Sequence, residues 1–314
     1  MPYNRRPERQ ARLTPFQRIL SSRWVTGLGM LLSRHAPPLA GHAIADIISG
    51  TINRLRPQVY RIVYANLRPV VGSQASEREL HRLVHRVFHN NARNAYELWR
   101  LAGRGAEAVR AAVHIPPEVW TYVDQARQRG KGIIIVGTHT GNFDLGILAL
   151  AAHGLEIQVL GLAEPPAGGF ELMDRMRARG GVRLTSIGFP ALREAVSRLR
   201  AGGIVLTGVD RPVGDEEPTV EFFGRPAPLP TGHVRLALKT DAAIIVAGSY
   251  RDPLKGNVVQ VSPPLEMVRT GESARDVHVN LRRVTAWLEN FVRARPEQWA
   301  MFVPVWSELA AESS

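Results

Sequence analysis

The 314-residue chain contains no cysteine. This excludes thiol nucleophiles, disulfides and thiolate metal sites, and it leaves the redox compartment undetermined, because neither environment is contradicted. Lysine is nearly missing too: Lys131, Lys239 and Lys255 are the only three, so the formal charge of +12 is carried almost wholly by arginine. A basic surface attracts nucleic acid, anionic membrane and acidic small molecules alike, and its sign does not choose among them. Aromatics are only 7% of residues, the arginines are scattered through every segment, and neither zinc-finger spacing nor an RNA-recognition signature is present. These features argue against a nucleic-acid partner.

Long hydrophobic runs are also lacking. The most apolar stretch, residues 24–50, is interrupted by Arg34, His35, Pro37 and Pro38. It falls short of the ~18 to 20 apolar residues that a spanning helix needs. The basic segment before it, MPYNRRPERQARLTP, is not followed by a small-residue cleavage pattern, so no signal peptide is expected. Two readings of residues 24–50 stay open: an interfacial membrane anchor with a basic flank, and a helix packed on the main domain.

Hydrophobic residues, 45% of the chain, are ample for a core. Residues 1–114 read as a helical N-terminal region, with Leu80, Val84, Val87, Phe88 and Leu98 at helical spacing in ERELHRLVHRVFHNNARNAYELWRLAG. From 115 the texture changes. Short β-branched runs at 132–138, 156–164, 182–187 and 203–210 alternate with amphipathic segments at 143–154, 169–181 and 190–203. Such alternation predicts βαβ units around a largely parallel sheet. TVEFFG (219–224), a proline-rich loop, a helix at 231–241, a strand at 242–251, an antiparallel partner at 257–263 and a long helix at 274–294 complete the chain. The expected fold is α/β, a mixed, mainly parallel sheet flanked by helices. The core at 115–314 forms one continuous catalytic domain with the helices from about 75.

The stretch that carries chemistry is GTHTGNFD (137–144). It places His139 on the loop after a buried-looking strand and Asp144 in the first turn of the next helix. In an open α/β sheet, ligands bind in the crevice beyond the carboxyl ends of the strands. A histidine oriented by a carboxylate is the general-base half of a catalytic triad. No GxSxG elbow and no cysteine supplies a nucleophile, so an external hydroxyl on a bound substrate is the simpler proposal. Taken alone, the H-x4-D spacing also fits a satisfied core histidine or an aspartate capping the helix.

With its preceding strand and following apolar helix, this motif resembles the HxxxxD signature of the glycerolipid and lysophospholipid acyltransferase superfamily. The resemblance is specifically to the bacterial branch of lipid A late acyltransferases and phosphatidylinositol mannoside acyltransferases. Three further blocks are similar to that branch: GIVLTGVDRPVGDEEPTVEFFGRPAPLPTGHVRLALKTDAAIIVAGSYR (203–251), LAEPPAGGFELMDRMRARGGVRL (162–184) and RPEQWAMFVPVW (295–306). The resemblance implies a glycerolipid-acyltransferase-like fold and transfer of a fatty acyl chain from acyl-coenzyme A or acyl carrier protein to a glycolipid or lysophospholipid hydroxyl. It implies no cofactor or metal, and peripheral attachment to the cytoplasmic face of the plasma membrane. It makes His139 the base and Asp144 its orienting partner. Asp210, Arg211, Glu164, Arg175, Arg179, Asn142, Thr231 and Gly232 become candidate substrate-binding residues. The Pro-Glu-Gly segment of the glycerolipid branch is absent, which argues against plain glycerophosphate as acceptor and leaves the acceptor open. A noncatalytic lipid-binding protein on the same fold and a hydrolase using the same pair on water are the alternatives.

His81, His85 and His89 share one helical face. They span about 12 Å along it, too far for one ion, so they read as a groove-lining or surface face and not as a metal site.

Overall fold

The computed structural model describes residues 22–161, 168–213 and 218–306. Strand β2 (Ile133–Gly137) sits at the centre of the sheet, and its sequence explains why. Ile133 and Ile135 point to one face and Ile134 and Val136 to the other, and each set enters a separate hydrophobic core. A strand buried on both faces needs a continuous apolar run, where a half-exposed one alternates.

The helices, in chain order, are α1 (Arg23–His35), α2 (Pro38–Leu55), α3 (Gln58–Val71), α4 (Glu77–Ala102), α5 (Ala106–Ala112), α6 (Pro117–Gln128), α7 (Phe143–Ala152), α8 (Gly168–Arg179), α9 (Phe189–Arg200), α10 (Gly232–Thr240) and α11 (Ser273–Ala294). The strands besides β2 are β1 (Val113–His114), β3 (Ile157–Gly161), β4 (Arg183–Ser186), β5 (Ile204–Gly208), β6 (Val220–Phe222), β7 (Arg225–Ala227), β8 (Ala243–Asp252) and β9 (Gly256–Val261). Seven strands form one sheet in the order β1-β9-β8-β2-β5-β3-β4. It is parallel except at the β8–β9 hairpin. The expected mixed, mainly parallel sheet and the antiparallel partner at 257–263 are both present.

Two details were not expected from the sequence. The short strand β1 pairs in parallel with β9 and had no signal, since two residues carry no periodicity. Val220–Phe222 does not join the main sheet: it folds back on Arg225–Ala227 as a separate hairpin. Phe223 and Gly224 both have positive φ there, +51° and +73°, as a tight two-residue hairpin turn demands.

The N-terminal helices are bound into the core. Ser76 caps α4 in a capping box: its hydroxyl accepts from the Glu79 amide while the Glu79 carboxylate accepts from the Ser76 amide. Val84, Val87 and Phe88 of α4 share a core with Ile134, Val136 and Trp299. The histidine face of α4 is spent on neighbouring helices, with His81 Nδ1 2.8 Å from the Tyr60 hydroxyl and His89 Nδ1 3.0 Å from Asp46. Among the described residues no group of three or more His, Cys, Asp and Glu side chains converges as ion ligands do.

Candidate functional site

The loop from Thr138 to Asn142, between β2 and α7, is held from three sides. The Thr140 carbonyl accepts from Ser249 Oγ at 2.9 Å, and Thr140 pairs with Trp299 in an antiparallel bridge. The amide of Gly141 donates to the Gln298 carbonyl at 2.8 Å, and that of Ala300 donates to the His139 carbonyl at 2.8 Å. Gly141 is required on two counts. Its φ is +55°, and a Cβ there would lie 2.5 Å from the Ser249 carbonyl oxygen.

The register of β2 and β5 sets the chemistry. Gly137 pairs with Gly208, so His139 and Asp210, each two residues farther on, lie side by side past the ends of neighbouring strands. His139 Nδ1 is 2.5 Å from Asp210 Oδ1. Asp210 Oδ2 accepts from the His139 amide at 2.8 Å and from the Trp299 indole Nε1 at 2.9 Å. Burial alone would raise the Asp210 carboxyl, but the opposing His139 charge and these three hydrogen bonds outweigh it and hold the group below the ordinary carboxylate range. An ionised carboxylate only accepts, so in the neutral imidazole Nδ1 carries the hydrogen and Nε2 the lone pair. His139 lines a cavity of about 310 Å³ whose other walls include Leu148, Val159, Leu184, Leu206 and Leu236. The arrangement is a base with a set tautomer, opening on a mostly apolar chamber.

Asp144 is not the partner of His139. It lines the same cavity, but its carboxylate is gripped by Arg177, with Nε to Oδ1 at 2.9 Å and a terminal nitrogen to Oδ2 at 3.2 Å. Five residues along the chain do not bring two side chains together as surely as two adjacent strands do. Arg177, which also reaches Asp174 at 2.9 Å, was not among the residues expected from the sequence. The signal existed: it lies on the inward face of α8 with Met173 and Met176, whereas Arg175 and Arg179 fall on the outward face. Neither of those two lines the cavity, and Arg175 pairs instead with Glu171.

The remaining candidates divide. Arg211 and Gly232 line the cavity, while Thr231 is buried beside it and its hydroxyl oxygen accepts from Arg235. Asn142 is buried away from the cavity, where its amide donates to the Asn94 carbonyl at 3.0 Å, so it fastens α7 to α4 instead of facing a substrate. Glu164 lies outside the described residues. Trp299 stands in the RPEQWAMFVPVW block, but only the folded chain shows its indole on Asp210.

Residues 10–308 match the family described as bacterial lipid A biosynthesis acyltransferase. The chain belongs to that family. Among curated proteins, it is similar to the phosphatidylinositol mannoside acyltransferase of Mycobacterium tuberculosis, in two strains, at 26% identity over 195 residues. That alignment takes in 61% of this chain and 60% of the relative, so under two thirds of the relative's length is matched.

One face of the N-terminal helices is apolar and exposed. Trp24, Leu28, Leu31 and Leu32 form one stripe on α1, with Trp24 87% exposed. On α2, Ile44, Ile47 and Leu55 are exposed as well. Arg23, Arg34 and Arg54 flank these stripes. No helix among the described residues is long and apolar enough to cross a membrane. A Cβ built on Gly27 of α1 would lie 3.5 Å from Leu172 of α8, the helix that supplies Arg177.

Proposed function

We propose that this chain transfers a fatty acyl group from acyl-coenzyme A or acyl carrier protein to a hydroxyl of a glycolipid or lysophospholipid, with His139 as general base. The observation that carries this reading is the His139–Asp210 pair, buried on the Asp210 side and open to an apolar cavity on the other. The acceptor hydroxyl gives its proton to Nε2 as its oxygen bonds to the thioester carbonyl carbon. The tetrahedral species then expels the thiolate, which takes the proton back from the imidazolium. A thiolate leaves readily, so the step needs no metal or cofactor. The apolar cavity accommodates the acyl tail, and Arg211 at its wall suits a phosphate on donor or acceptor.

The exposed stripes of α1 and α2 with their flanking arginines fit a helix pair lying in the interfacial plane of an anionic bilayer, at the cytoplasmic face of the plasma membrane. The His139→Ala variant is expected to lose about 10²- to 10⁴-fold in thiol release from palmitoyl-coenzyme A in the presence of acceptor lipid, while remaining folded. Normal turnover by that variant refutes the mechanism. Thiol release at the same rate with and without any acceptor assigns the pair to hydrolysis instead.

A further inference from the structure

One face of β5 ends without a side chain. Ile204 and Leu206 share a core with Leu145 and Leu148 of α7, and Gly208, two residues on, is the last residue of the strand. A glycine weakens a strand, since it loses more chain entropy on folding and packs nothing. Gly208 has no positive φ that would call for glycine, so the reason for it lies in the space around it. That space holds the general base. A Cβ built on Gly208 would lie 3.0 Å from His139 Cε1, 3.5 Å from Nε2 and 3.8 Å from Nδ1. The imidazole lies against the place that a side chain at 208 would take, and both residues line the cavity.

Carbon atoms in contact sit about 3.5 to 4.0 Å apart, so a methyl at 208 requires the ring to give by about half an ångström. The ring is held too closely to absorb this. Asp210 Oδ1 stands 2.5 Å from its Nδ1, and Asp210 is itself fully buried. The His139 amide donates to Asp210 Oδ2 and the His139 carbonyl accepts from the Ala300 amide, both at 2.8 Å, so the backbone is pinned as well. Phe143 packs edge to face on the ring, with centroids 5.1 Å apart. What yields is the imidazole's rotation about its side-chain bonds, which takes Nδ1 off Asp210. Gly137 provides the comparison. It pairs with Gly208 in register and also ends its strand, yet a Cβ on it would meet nothing nearer than 3.8 Å.

We propose that Gly208 is a positioning residue for the general base: its bare backbone admits the His139 ring to the place from which Nδ1 reaches Asp210 and Nε2 faces the cavity. This rests on the acyl-transfer reading above. Gly208 touches no reacting atom in this role and acts only through the ring that it leaves room for.

The test uses the full chain with palmitoyl-coenzyme A as donor probe and acceptor lipid present. Gly208→Ala is expected to lower kcat for thiol release about 10- to 100-fold, with KM changed less than about threefold. In ¹H–¹⁵N NMR of the histidine rings, the downfield Nδ1–H signal of His139 is expected in the unaltered protein and in Gly137→Ala, and its loss is expected in Gly208→Ala. A general packing role would move stability and leave that signal in place. The closest contacts of a Cβ at 208 are all with the ring. The fall in thermal midpoint caused by Gly208→Ala is therefore expected to vanish in the His139→Ala protein, a comparison that reads the contact even where Gly208→Ala alone is too unstable to assay. An unchanged Nδ1–H signal with turnover within about threefold of the unaltered protein, or an equal fall in midpoint with and without the His139 ring, overturns the assignment. If His139→Ala itself turns over normally, the general-base reading fails first; an inactive His139→Ala beside an unaffected Gly208→Ala removes the role of Gly208 alone.

Discussion

Replacing Asp210 with asparagine separates the tautomer from the geometry. Asp210 Oδ2 already accepts two N–H donors, the His139 amide and the Trp299 indole, at 2.8 and 2.9 Å. An asparagine must put its carbonyl oxygen on that side, since an amide NH₂ facing two donors would satisfy neither. Its NH₂ then faces His139 Nδ1, which is forced to accept, and the ring hydrogen moves to Nε2. The base loses its lone pair toward the cavity although no atom has moved appreciably. Setting the wrong tautomer is worth about 10³- to 10⁴-fold in kcat, or roughly 4 to 5.5 kcal/mol of barrier. The structural cost is smaller: three hydrogen bonds remain, none of them any longer to a charged carboxylate, and about 1 to 3 kcal/mol of stability goes with that charge. Thiol release from palmitoyl-coenzyme A measures the first quantity, urea unfolding the second, and ¹⁵N NMR of the histidine ring reports the tautomer directly. A folded Asp210→Asn protein with a tenth or more of normal turnover refutes the reasoning.

Asp144→Asn should act differently, because its carboxylate serves Arg177 and not His139: we expect a loss of about 1 to 3 kcal/mol in urea unfolding and a smaller fall in kcat than for Asp210→Asn. Gly141→Ala combines positive φ with a Cβ 2.5 Å from the Ser249 carbonyl oxygen, so it should cost more than about 1 kcal/mol and depress turnover by displacing the His139 loop, checked by melting temperature and thiol release together. Stability should fall with acid through His233, whose pKa drops to about 3 in the folded chain from 6.5. Between those values the unfolded state binds the extra proton, so stability is full above about pH 6.5 and declines toward pH 3, by about 5 kcal/mol in all. His233→Phe should flatten that decline in urea melts taken from about pH 7 to 4, and an identical slope in both proteins contradicts the buried neutral ring.

Much of the fold was legible because its signals are local. The run GIIIVGT and the glycine-bounded helices each act within a few residues, and the elements they predict are present. The two-residue strand β1 had no such signal, and the Phe223–Gly224 turn inside TVEFFG was not expected. His139 was legible for the same local reason, as the residue on the loop after the central strand. Arg177 was within reach of a helical-wheel argument on α8, but Arg175 and Arg179, spaced four apart, make the more conspicuous pair in the sequence and face outward.

What the sequence determined by itself is therefore the strand-loop-helix that presents His139, the absence of a protein thiol or serine elbow, and the family resemblance of the blocks around it. Its partner was decided only by the tertiary structure. The choice between Asp144 and Asp210 depends on which strand lies beside β2, and β5 reaches that place after two intervening strands. Strand order is set by how whole faces pack, so no spacing within GTHTGNFD encodes it. The same holds for Trp299, some ninety residues farther along.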